Sequence, residues 1–66
     1  MPVLGHEMRK GLKVRVEGFD ATGAYIQGDA VVVRKPLKTD THVKIKMVAT
    51  DEEHLIDQDC VYWRKQ

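Results

Sequence analysis

Between residues 11 and 36 an apolar residue recurs at alternate positions, Leu12, Val14 and Val16 and then Ile26, Ala30 and Val32, on either side of a break in the middle. That is the period of a half-buried strand; a helix would bring apolar residues back every three to four positions. The break, Asp20-Ala21-Thr22-Gly23, starts with Asp and ends with Gly. It suits a type I turn closed by a residue at positive φ, which predicts a three-residue hairpin loop. The loop fixes the register. Asp20 falls opposite Ala24, Phe19 opposite Tyr25, Glu17 opposite Gln27 and Arg15 opposite Asp29. On the other face Val16 meets Gly28, Val14 meets Ala30 and Leu12 meets Val32. One face thus carries Leu12, Val14, Val16, Ile26, Ala30 and Val32, and the opposite face Lys13, Arg15, Glu17, Gln27 and Asp29. A slip of one residue would turn the apolar set to water, so turn and pattern specify the same pairing.

The rest of the chain reads as material that closes this hairpin. Pro36 ends the second strand, having no N–H for a ladder. Residues 43–49 alternate again, with Val43, Ile45, Met47 and Ala49 inward and Lys44, Lys46 and Val48 outward. Thr50 to Glu53 is the next turn. His54 to Arg64 is a last strand with a break at Asp57-Gln58-Asp59, Val61 and Trp63 on one side and Cys60 and Tyr62 on the other. Val3, Leu4 and Met8 either tuck one turn against the barrel end or belong to a mobile leader. Several short strands with turns between them predict an all-β fold: a small closed or partly open β-barrel of about five antiparallel strands. The expected core is Val14, Val16, Ile26, Val32, Val43, Ile45 and Met47.

The 66 residues amount to one domain. A domain of that size buries only about 60% of its unfolded surface and gains from a partner or a second copy. No apolar run approaches the ~20 residues of a membrane span, and the first residues lack a secretory signal pattern. The single Cys60 has no partner for an internal disulfide, which suits a reduced, cytoplasmic setting. Net charge is +1, but residues 1–46 carry +4 and residues 47–66 carry −3. Such a dipole suits a mixed-sign surface or a head-to-tail contact as well as nucleic acid.

Catalytic chemistry is sparse. His6, His42 and His54 lie far apart in the sequence without metal-type spacing, and the chain has no serine. Asp57 and Asp59 lie two apart on one face of a strand, and a solvated strand edge explains them. No metal, cofactor or enzymatic activity is expected. Two features point to binding. Phe19 and Tyr25, with Val31 and Val33 extending the patch, offer a protein-contact surface. Arg9, Lys10, Lys13 and Arg15, with Lys44 and Lys46 on another strand, offer an anion or nucleotide site.

The run from Val14 to Gly23, the segment Val43-Lys-Ile-Lys-Met47 and the ending Cys60-Val-Tyr-Trp63 resemble the strands of PilZ domains over residues 9–64. The resemblance implies a small regulatory β-barrel that binds cyclic di-GMP or, when degenerate, acts through protein partners. Binding members carry RxxxR and a later [D/N]xSxxG. This chain has Arg9-Lys10-Gly11-Leu12-Lys13, an RxxxK, and lacks the serine motif between Val33 and Pro36. Weak or absent cyclic di-GMP binding is therefore expected. Val14-x-Val-x-Gly18 and the Gly23 turn also resemble SH3-like modules of the KOW or Tudor kind, which implies a nucleic-acid, ribosome or polymerase partner. The expectation is a non-enzymatic module working mainly through a protein partner or homo-oligomer, with nucleic acid or nucleotide as the alternative ligand.

Overall fold

The structure, a computed structural model, describes residue 3 and residues 5–37 and 39–64. Five antiparallel strands form one sheet: β1 (Lys13–Phe19), β2 (Tyr25–Val32), β3 (His42–Met47), β4 (Glu53–Asp57) and β5 (Val61–Trp63). Their order is β4-β3-β2-β1-β5. The sheet curls into a partly open barrel, and a single bridge between Asp20 and Ile56 brings the end of β1 to β4. Two 3-10 turns, Gly5–Glu7 and Gln58–Cys60, complete the described structure. Among the described residues no helix is long and apolar enough to cross a membrane.

The hairpin has the register expected from its turn, from Lys13 opposite Val31 to Phe19 opposite Tyr25. Gly23 N–H donates to Asp20 O at 3.0 Å, Asp20 N–H donates to Ala24 O at 2.8 Å, and Gly23 has φ +90°. This is the three-residue loop with positive φ at its last position. Alternation then decides burial: Val14, Val16, Ala30, Val32, Val43, Ile45 and Met47 are buried together. Ile26, at the mouth, is only partly buried against them.

The expected core was incomplete. Val3, Met8, Ile56 and Val61 are buried in it as well. Val3 N–H donates to Val61 O at 2.8 Å, which ties Val3 to β5, and Met8 follows the 3-10 turn, its N–H donating to Gly5 O at 3.2 Å. Leu4 lies outside the described residues. Ala49 is exposed, contrary to the alternation that placed it inside. The chain leaves β3 after Met47, where Asp51 N–H donates to Met47 O at 2.9 Å, and Asp51 at φ +63° completes the reversal. The turn thus starts two residues before Thr50. The break at 57–59 is real. Asp57 Oδ1 accepts from Asp59 N–H at 2.9 Å and caps the 3-10 turn that separates β4 from β5.

Candidate anion-binding cleft

Met8 is buried, and the chain emerges from the core at Arg9. Leu12 N–H donates back to Arg9 O at 3.0 Å, and Gly11 at φ +88° occupies the third position. Positive φ there is the mark of a type II turn and explains the glycine. Gly11 N–H donates to Val32 O and Val32 N–H donates to Leu12 O, both at 2.9 Å. The turn is therefore tied to the end of β2. Its two outward residues are Arg9 and Lys10, and Lys13 follows as the first residue of β1.

The opposite wall comes from the end of β5. Trp63 pairs with Val14 and Val61 with Val16, so Trp63 continues the inward side of the strand. It lies where the barrel opens and stays 43% exposed. Arg64 anchors this end. Its Nη2 donates to Ala30 O at 3.0 Å and to Val14 O at 3.4 Å, and its Nε is 3.6 Å from Asp29 Oδ1. Arg9, Lys10, Lys13, Leu12, Trp63 and Arg64 line one open cleft.

The six cations of the expected anion site do not act as one set. Arg15 pairs with Glu17 at 3.2 Å, Lys44 with Glu53 at 3.1 Å and Lys46 with Asp51 at 3.1 Å, all on the solvent side of the sheet. Exposed pairs of this kind are worth only about 0–1 kcal/mol each, but they cancel the local charge. Arg9, Lys10 and Lys13 have no acidic partner among the described residues. Three like charges near one turn, beside an arginine already committed to the barrel, leave a local excess of positive potential in a concave place. Trp63 and Arg64 were not among the expected site residues. Their signal was present in the ending Val61-Tyr-Trp-Arg64, but only the strand register shows that it meets the Arg9 turn.

The expected contact surface also divides. Phe19 and Tyr25 meet edge to face, ring centroids 5.4 Å apart at 70°, and are 64% and 57% exposed. Val31 shares their side of β2, but Gln27 and Asp29 stand between, so Val31 is roughly 20 Å from Tyr25 along the strand. Val31 lies between Lys13 and Lys46, and Val33 N–H donates to Lys44 O at 2.9 Å; both valines are half-buried. The aromatic pair and the valines are two separate places.

The hairpin tip beside the aromatic pair is held by a buried carboxylate. Asp20 Oδ1 accepts from Thr22 Oγ1 at 2.6 Å, Thr22 N–H at 2.9 Å and Ala24 N–H at 3.0 Å. Its Oδ2 is 2.9 Å from His54 Nδ1. The Thr22 hydroxyl first, with His54 and the two amides, lowers the Asp20 pKa to about 2 against the burial that raises it. His42 Nδ1 pairs with Thr41 Oγ1 and His6 lies in the first 3-10 turn, so the histidines sit on different elements. Among the described residues no three His, Cys, Asp or Glu side chains converge as metal ligands would. Burial, followed by the charges of Asp57 and Asp59, raises the pKa of the Cys60 thiol and so disfavours its reactive thiolate. Comparison with protein-family models, curated proteins and solved structures gives no match to this chain.

Proposed function

We propose that this chain is a non-catalytic binding module, cytoplasmic in setting, whose ligand is a phosphate-bearing anion held in the cleft between the Arg9–Leu12 turn and Trp63. One observation carries the reading. Arg9, Lys10 and Lys13 in this cleft lack acidic partners among the described residues, while Arg15, Lys44 and Lys46 elsewhere on the sheet are paired. Arg9 supplies a planar fork for phosphate oxygens, and Lys10 and Lys13 supply mobile point charges. The RxxxK segment that resembles the PilZ nucleotide motif is this same turn. With Lys13 at its last position and no serine in the chain, cyclic di-GMP is not the ligand we assign.

Inorganic polyphosphate is the test ligand. Neutralising the cleft with Arg9→Gln, Lys10→Gln and Lys13→Gln together should weaken binding at least tenfold. It should also flatten the dependence on salt, because fewer counterions are released. Lys44→Gln with Lys46→Gln should change affinity less than twofold. Equal losses in the two variants, or no binding by the parent protein, would overturn the proposal.

A second reading is favoured by the exposure of Phe19 and Tyr25: a protein contact, with a second copy of the chain as the partner. Both readings suit a small barrel of the PilZ-like or SH3-like kind, which acts by binding.

A further inference from the structure

Resting on the anion-binding reading, we infer that the cleft is built for single-stranded nucleic acid, with one base stacked on the Trp63 indole and the flanking phosphates on Arg9, Lys10 and Lys13. A ligand that offered phosphate alone would need only the cations. The cleft adds a large aromatic ring, 43% exposed, on an end of β5 that Arg64 fixes to the Val14 and Ala30 carbonyls. Arg64 holds the strand end that carries the ring, which limits the backbone freedom lost when a flat partner lands on it. Aromatic rings beside a cationic track are how sequence-tolerant single-strand binders work: every base has a π-face and every linkage a phosphate. A duplex fits less well. Its bases are covered by their own stack, and a duplex binder presents a broad basic face. Here the net charge is +1 and the neighbouring strand cations are already paired.

Trp63 is the only tryptophan of the chain, so its fluorescence reports this site alone. Oligothymidylate should quench it. Three phosphate contacts on a single strand predict a fall in affinity of roughly fifteen- to twentyfold between 50 and 200 mM salt. Trp63→Ala should weaken a labelled oligothymidylate by about fivefold to a hundredfold, and Trp63→Phe, which keeps an aromatic ring in place, by less. Circular dichroism should show both variants folded, and polyphosphate affinity should fall less in either than oligothymidylate affinity, because only the base needs the ring. If oligothymidylate and polyphosphate bind alike, without quenching and without dependence on Trp63, base stacking is wrong and the anion reading stands. Should neither bind, both readings fall. Duplex DNA or polyglutamate that quenches Trp63 as strongly as the single strand would overturn the assignment of ligand class.

Discussion

Asp20 serves as first residue of the hairpin loop and as the link from that loop to β4. Its Oδ1 holds the amides of Thr22 and Ala24 and the Thr22 hydroxyl, while its Oδ2 meets His54. The sequence shows the first role, since Asp is favoured at the start of a type I turn. The second depends on a pairing between residues thirty-four positions apart, which no local pattern contains. The side chain's donors favour its charged form and lower its pKa from 3.8 to about 2. The depressed native value sets the sign: this contribution to stability is complete above about pH 4 and is lost as pH falls through about 2. Asp20→Asn keeps an acceptor for the tip amides but removes the titration. Urea midpoints from pH 2 to pH 6 should show the parent protein ahead of the variant above pH 4 and the difference closing at lower pH. A difference that stays constant over that range would show that Asp20 is not the titrating link.

At the scale of elements, the Arg9–Leu12 turn joins the fold to the proposed function. Gly11 sits at φ +88° with open space where a Cβ would be. Gly11→Ala therefore acts through backbone conformation alone, and should cost about 1–2 kcal/mol of stability. Gly11→Asn should cost less, because Asn enters the left-handed region more readily. If the turn presents the cations, Gly11→Ala should also weaken polyphosphate binding, with Gly11→Asn between it and the parent protein. A stability loss with unchanged binding would separate the turn from the site. The same scale shows what the sequence could and could not disclose. The hairpin was legible because its turn and its alternation are local and agree. The end of β3 was not: alternation continues through Ala49, and only the reversal at Asp51 stops the strand after Met47. Burial of Val3, Met8, Ile56 and Val61 was likewise hidden, since it depends on which strands lie at the sheet's edges. The cleft was half legible. Its cations form one run in the sequence, but the tryptophan facing them is fifty positions away from Lys13.

Over the whole molecule, its two candidate surfaces lie toward opposite ends of β1. The cleft begins at Lys13, and the aromatic pair sits at Phe19. The described residues before Arg9 do not cover that pair: Val3 is hydrogen-bonded to β5, and Met8 is buried in the core. The tip that carries the rings is tied down by Asp20 and by Ala21 N–H donating to Leu55 O at 2.8 Å. The rings are therefore held in place while exposed, which lowers the ordering cost of a contact. The row beside them carries Arg15, Glu17 and Gln27, already joined by their own hydrogen bonds, so a second copy meets no unpaired charge there. A domain this small leaves much of its apolar surface uncovered when alone, and pairing through the rings would bury part of it. The edge-to-face contact itself contributes about 0.5–1.5 kcal/mol to the hairpin. Removing both rings should therefore lower stability modestly and leave the core, to which neither ring belongs, intact. Phe19→Ala with Tyr25→Ala should keep the circular dichroism of the parent protein. In sedimentation at several concentrations the parent should self-associate and the double variant should not. A parent that remains monomeric at every concentration, or a double variant that unfolds, would assign the aromatic pair to the stability of the hairpin alone. In that case the Arg9–Leu12 cleft would be left as the binding surface.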